Sequence, residues 1–207
     1  MLSKSRFARY APSLSAIAQI LTIGHSTHEL APFLDLLRRR GVETLADVRR
    51  YPKSRRMPWF GEGPLATALG TTGIEYMHLP ELGGRRDPLP GSPNGGWRVR
   101  QFRGYADHMS SHEFTAGLER LEAVARERRT AVMCAEAQWW RCHRRLLSDA
   151  LLARGWEVVH LDARGGADPH ALTDFAVAEG RRVTYPPAQE ALSGVSSKER
   201  RSSSIDS

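Results

Sequence analysis

Short apolar runs alternate with amphipathic stretches along the chain from residue 20 to about residue 163. The first run, ILTIGHS, ends at Gly24-His25-Ser26. In the next segment, HELAPFLDLLRRRG, the residues Leu30, Phe33, Leu34 and Leu37 recur at helical spacing, and Gly41 closes the run. ETLADVRRYP reads as a second strand ending at Asp47-Val48-Arg49, with Pro52 as the breaker. GEGPLATALGTTG predicts a short helix and IEYMHLP a third strand. GYADHMSSHEFTAGLERLEAVARER predicts one helix or two, with Phe114, Leu118, Leu121 and Ala125 on one face. TAVMCAEA is a fourth strand, CHRRLLSDALLARG a helix, and WEVVHLDA a fifth strand.

This alternation predicts a parallel sheet with helices on its faces. The expected fold is α/β: a single three-layer domain with a mainly parallel five-stranded sheet over residues 20–184. Residues 1–19 read as a basic, poorly ordered arm. Residues 185–207 read as a disordered polar tail that lacks the apolar residues to build a core. Two Gly/Pro-rich basic segments fall outside the alternation, YPKSRRMPWFGEG and LPELGGRRDPLPGSPNGGWRVRQFRG. Loops of that length inside a compact domain are usually functional or mobile.

Composition narrows the partners. A chain of 207 residues suffices for one domain with a sizeable core. No apolar run approaches the roughly 18 residues of a spanning helix, and the basic start lacks the apolar stretch and cleavage site of a secretory signal. The expectation is a cytoplasmic protein with no membrane partner. Two cysteines cannot make a disulfide framework and fit a reducing compartment. Thirty basic residues against 23 acidic ones give a net charge of +7, which favours an anionic ligand such as a nucleotide, a phosphorylated metabolite or nucleic acid.

Polar residues collect where the predicted strands end. His25 and Ser26 follow the first, Asp47, Arg49 and Arg50 the second, and His78 and Glu81 the third. Cys134 and Glu136 follow the fourth, His160 and Asp162 the fifth. In an open parallel sheet, ligands sit beyond the carboxyl ends of the strands, near the point where strand order reverses. These segments are therefore expected to converge on one cleft.

The stretch CAEAQWWRCHRR holds both cysteines, with seven residues between them. Cys142 stands near a predicted helix start beside Arg141, His143 and Arg144, which would lower its pKa and make it a thiolate; the alternative is that it only packs. Cys134 follows an apolar run and, taken alone, reads as a core cysteine. WRCHRR places cations and free amide hydrogens on one helical turn, a receptor for phosphate, sulfate or carboxylate. Of Trp139 and Trp140, one can serve as a platform for a base and the other as an anchor. Asp47 can orient His25 while Arg49 reads an anion, or the two can form an internal ion pair. Glu136 is an acid/base candidate if the cleft is dry. Zinc accepts Cys134, Cys142, His143 and His25 by type. The C-x7-C-H spacing falls outside the usual structural zinc spacings, so no metal is expected and the cofactor is unknown.

TIGHS, DVRRYPKSRR, GIEYMHLPELGG, FRGYADHM and MCAEAQWWRCHRRLLSDAL together resemble the signature blocks of the family catalogued as domain of unknown function 488. The resemblance spans residues 21–161 and implies a compact α/β domain without implying a reaction. It marks His25, Asp47, Arg49 and Arg55 in the first blocks, then His78, Glu81 and Tyr105. In the last block it marks Cys134, Glu136, Cys142, His143 and Arg144. LLRRRGVETLADVRRYP also carries a weaker likeness to the rhodanese strand that ends in Asp-Val-Arg. The loop after Cys134 lacks the glycines of a rhodanese anion cradle, so sulfur transfer is an analogy.

The expected function is that of an enzyme acting on a phosphate-bearing substrate, a nucleotide, nucleoside derivative or nucleic acid, by thiol-dependent transfer or hydrolysis. Arg49, Arg55 and Arg144 would bind the anion, with His78, Glu81, Tyr105 and Trp140 among the substrate contacts. Cys142 or Cys134 would supply the thiol, and His25, His143 or Glu136 would carry protons, with Asp47 as orienting carboxylate. The rival is a non-catalytic nucleic-acid-binding module. Its basic loops would touch the backbone, Trp59, Phe60 and Trp97 would stack on bases, and the cysteines would be structural.

Overall fold

Strands that are apolar on both faces need helices on both faces, and the chain supplies them. The computed structural model describes residues 18–188. Strand β1 (Gln19–Gly24) leads into helix α1 (Leu30–Arg39), followed by β2 (Thr44–Asp47), α2 (Glu62–Gly70) and β3 (Glu75–His78). Two helices come next, α3 (Arg100–His108) and α4 (His112–Glu127), then β4 (Thr130–Cys134), α5 (Arg144–Leu152) and β5 (Glu157–Leu161). Three short strands complete the described chain, β6 (Ala167–Pro169), β7 (Val177–Glu179) and β8 (Arg182–Thr184). The break between α3 and α4 is set by Ser111, whose side chain accepts the Phe114 N–H as an N-cap.

The sheet order is β3-β2-β4-β1-β5-β6. The first five strands are parallel and correspond to the five expected. The sixth, β6, pairs antiparallel with β5 at the edge, and β7–β8 form a separate hairpin. Alternate residues serve opposite cores. Ile20, Val132 and Val158 pack with Tyr105, Leu118, Leu121 and Leu147 of α3, α4 and α5. Leu21, Ile23, Ala131 and Met133 pack with Phe33, Leu37, Leu65 and Leu69 of α1 and α2.

The topology places the site. From β1 the chain passes to one face through α1; from β4 it passes to the other face through α5. These two strands are neighbours, with Gly24 in register with Cys134. Their carboxyl ends therefore form the crevice where connections diverge, the usual ligand position in open α/β sheets.

The ordered domain extends beyond the expected limit at residue 184. Tyr185 is fully buried; its hydroxyl donates to Asp149 Oδ2 at 2.8 Å and its amide to Asn94 Oδ1 at 2.9 Å. Strand β1 likewise begins at Gln19, inside the expected arm. The rest of the arm and tail lies outside the described residues. Among the described residues, no helix is long and apolar enough to cross a membrane.

Asp149 anchors a buried polar chain. Its Oδ1 accepts the Thr173 amide at 3.0 Å and His170 Nε2 at 2.9 Å. His170 Nδ1 lies 3.0 Å from His160 Nε2. His160 Nδ1 lies 2.6 Å from Thr22 Oγ1, which receives Arg144 Nη1 at 3.4 Å. The chain is continuous from Asp149 to Arg144, and burial keeps the His160 imidazole neutral.

Two outcomes follow from this chain. Asp149→Ala leaves buried donors on His170, Thr173 and Tyr185 unpaired, and urea denaturation should show a loss of about 3 kcal/mol. Burial, with the charges of His170 and Arg144 adding to it, pushes the His160 pKa down from 6.5 to about 3. The unfolded chain takes up this proton near pH 6.5 while the folded protein does not, so stability should fall as pH drops below that value. This one group contributes at most about 1.4 kcal/mol per pH unit. Urea midpoints measured between pH 7 and 4.5 should fall, and His160→Gln should flatten the slope.

Candidate active site

A cleft of about 240 Å³ opens at the carboxyl ends of β1, β2 and β4. Cys134, Cys142 and His143 line it together with His25. Arg49, Arg50, Lys53, Arg85 and Arg141 also line it, against the single carboxylate of Glu136. Such an excess of cations in a concave surface attracts anions.

The segment from Cys134 to Cys142 is held from beneath by Arg144. This side chain is only 1% exposed, and its Nη2 donates to the carbonyl oxygens of Glu136 and Ala137. The end of β1 packs so closely here that a Cβ at Gly24 would overlap the Glu136 carbonyl and lie 2.8 Å from Arg144 Nη2. His25 and Ser26 continue the pairing, their amides donating to Cys134 and Ala135 carbonyls at 2.9 Å. Cys142 follows a single 3-10 turn, Trp139–Arg141, and immediately precedes His143, the N-cap of α5.

The two cysteines are free and buried. His143 Nδ1 lies 3.5 Å from Cys142 Sγ and 3.9 Å from Cys134 Sγ. The ring is confined: a Cβ at Gly84 would come within 2.7 Å of Nδ1, and Tyr105 packs on the ring at 5.1 Å between centroids. Burial opposes ionisation of Cys142. The hydrogen bond from Cys134 and the proximity of His143 and Arg144 outweigh it, bringing the Cys142 thiol well below its ordinary value. Cys134 is held well above its own, first by that same hydrogen bond and then by burial. Of the two, Cys142 is therefore the thiol more readily ionised and Cys134 the one held protonated. Two sulfurs and an imidazole nitrogen within 4.8 Å of one another are also the side chains best placed here to hold a metal ion.

Beside this cluster lies a second unit. Asp47, fully buried, accepts Arg49 Nε at 2.9 Å and the Tyr76 hydroxyl at 2.8 Å. Arg49 Nη1 reaches His25 Nε2 at 3.2 Å, so His25 accepts there and donates from Nδ1 to the Ser26 carbonyl at 3.1 Å. Burial and the charge of Arg49 lower the His25 pKa to about 4. Asp47 and Arg49 thus form the internal ion pair, and it is Arg49, not Asp47, that touches His25.

Several residues singled out in the sequence occupy supporting positions. Arg144 does not reach the cleft as an anion contact, because its Nη2 is turned onto the carbonyls of Glu136 and Ala137 and its Nη1 onto Thr22. His78 donates from Nε2 to the Arg49 carbonyl at 2.9 Å, behind the cleft. Glu81 pairs with Arg120 at 2.8 Å on the surface of α4. Tyr105 is fully buried and its hydroxyl donates to the Leu82 carbonyl at 2.9 Å. Arg55 is exposed on the loop that brings Lys53 and Ser54 to the cleft, outside the lining itself. Glu136 is exposed at the cleft, and only its backbone is held.

Trp140, 46% exposed, belongs to a second cavity of about 460 Å³ between the ends of β1 and β5. There Trp139 stacks on His160 at 4.1 Å with an interplanar angle of 8°. Lys53, Arg85 and Arg141 were not singled out as site residues from the sequence. Their only signal was the basic character of the two long loops and of the turn before Cys142.

Comparison with curated proteins and with solved structures gives no match, so the likeness to rhodanese-type domains stays an analogy. The model of the family described as Domain of unknown function DUF488 matches residues 29–151, more than half of the chain. That span runs from the start of α1 almost to the end of α5 and includes both cysteines, His143 and the Asp47–Arg49 pair. The chain belongs to the DUF488 family.

Proposed function

We propose that this protein is an enzyme acting on a phosphate-bearing substrate, a nucleotide, nucleoside derivative or nucleic acid, by thiol-dependent transfer or hydrolysis. One observation carries the reading: a buried sulfur–sulfur–imidazole cluster lines a strand-end cleft together with five cationic side chains. Arg49, fixed by Asp47, and Arg141, beside Cys142, hold the anion. Cys142 attacks the electrophilic carbon or phosphorus, forming a bond to sulfur while the leaving group departs with its electron pair. Glu136 is exposed, so the departing group takes its proton from solvent. A water then cleaves the sulfur-bound intermediate, its proton passing to solvent, and restores the thiolate. Cys134 donates a hydrogen bond to the thiolate throughout.

The nucleic-acid-module reading has less support in the aromatic residues. Phe60 is fully buried, Trp97 is 6% exposed, and Trp59 donates its indole N–H to the His28 carbonyl at 3.2 Å. None of the three presents a free face like that of Trp140.

Iodoacetamide at neutral pH should alkylate Cys142 faster than Cys134, as read by peptide mass spectrometry. Inorganic phosphate should slow the reaction severalfold, and Arg49→Ala should remove that protection. If neither thiol reacts in the folded protein, the nucleophile assignment fails. A salt-steep affinity for DNA or RNA that survives Cys134→Ser and Cys142→Ser would instead favour the binding module.

A further inference from the structure

We infer that Cys134, Cys142 and His143 form a three-ligand site for a zinc ion, with the fourth coordination position open to the cationic cleft. The spacing along the chain, C-x7-C-H, hides the site because the segment between the cysteines doubles back. The geometry exposes it. A tetrahedral zinc ion with Zn–S of about 2.3 Å and Zn–N of about 2.0 Å sets its sulfur and nitrogen ligands about 3.5 Å apart. The two Sγ–Nδ1 separations here are 3.5 and 3.9 Å, and all three donors lie within 4.8 Å of one another.

The donors stand on fixed points. Cys134 ends the central strand β4, and Cys142 and His143 lead into α5. Arg144, the next residue, ties the start of that helix to the carbonyls of the intervening segment. His143 Nε2 is buried without a protein partner, so close packing at Gly84 and Tyr105 sets the orientation of the ring. Its Nδ1 instead faces two sulfurs, and one ring nitrogen carries a single hydrogen or a single lone pair. A cation satisfies all three atoms at once.

The donor chemistry selects the ion. Two thiolates and an imidazole suit a borderline-soft metal and not magnesium or calcium, which take oxygen ligands. Each sulfur binds as thiolate, any thiol proton passing to solvent. Two thiolates then cancel the charge of a divalent ion, so the loaded site beside Arg144 and Arg49 carries no net positive charge. Cys134, Cys142 and His143 all line the 240 Å³ cleft, which leaves room for water or a substrate oxyanion as fourth ligand. Three protein ligands and one open position is the arrangement of catalytic rather than structural zinc.

This inference goes beyond the thiol reading. An ion held by both sulfurs turns Cys142 from attacking group into ligand, so the metal-bound and thiol-reactive forms exclude one another.

The test titrates the reduced, metal-free full-length chain with cobalt(II) under anaerobic conditions. The expected result is one equivalent bound, with a sulfur-to-cobalt charge-transfer band and the visible bands of a tetrahedral ion, bleached when zinc is added. Cys134→Ser, Cys142→Ser and His143→Ala should each weaken binding at least tenfold with an unchanged circular dichroism spectrum. The exposed His112→Ala should leave the cobalt spectrum as it is. In the wild-type chain, where no variant needs to fold, one equivalent of zinc should protect both thiols from iodoacetamide. Absence of the charge-transfer band at stoichiometric cobalt, or a band undiminished in Cys142→Ser, overturns the site. Alkylation that phosphate suppresses, without cobalt binding, removes the metal site and leaves the thiol enzyme. Cobalt binding with inert metal-free thiols does the reverse.

Discussion

The guanidinium of Arg144 lies beneath the cleft, almost without solvent contact, and donates to two carbonyls of the segment after β4 and to Thr22 of β1. A buried cation is tolerated only when its donors are satisfied and its charge is balanced. Here the carbonyl dipoles of Glu136 and Ala137 supply part of that balance, while Nε is left buried without a protein partner. The same charge favours ionisation of the neighbouring Cys142 thiol. A lysine could not reproduce the arrangement, because one ammonium cannot span Thr22 on one side and both carbonyls on the other with planar geometry.

From Thr22 the polar chain continues through His160 and His170 to Asp149, which also takes the Tyr185 hydroxyl. The hairpin segment at the end of the described chain is thus tied, bond by bond, to the floor of the cleft. Buried networks of this kind are stabilising only when every member is paired. Here each of the two imidazoles has a partner at both ring nitrogens. Gly24 has a steric part in the same arrangement, because any side chain there would push β1 away from Arg144.

Much of the architecture was legible in the local pattern. Five apolar runs became five parallel strands, and polar residues at the ends of β1, β2 and β4 do line the cleft, because strand termini in a parallel sheet share one edge. His78 lies behind it, and His160 and Asp162 line the second cavity instead. Strands β6, β7 and β8 were not legible. Each has three residues, mostly exposed, with no alternation to betray it. Tyr185 was read as tail because its partners, Asn94 and Asp149, are distant in sequence. Arg144 reads in sequence as an anion contact in a basic run, since nothing local shows that the carbonyls of Glu136 and Ala137 take its donors. The family-like positions His78, Glu81 and Tyr105 illustrate a further limit: one sequence does not separate residues that face the cleft from those that brace its walls. The cysteine spacing did not show that both sulfurs face one imidazole, because it measures contour length and not the distance across a folded-back loop.

That loop has an uneven construction. Its two ends, at Cys134 and Cys142, are buried and bonded, while its crown, including Gln138 and Trp140, is exposed beside the larger cavity. Substitutions at the crown can reshape the neighbouring surface without altering the separation of the two sulfurs. The rim of the larger cavity and the spacing of the sulfur pair are thus set by different parts of one short loop.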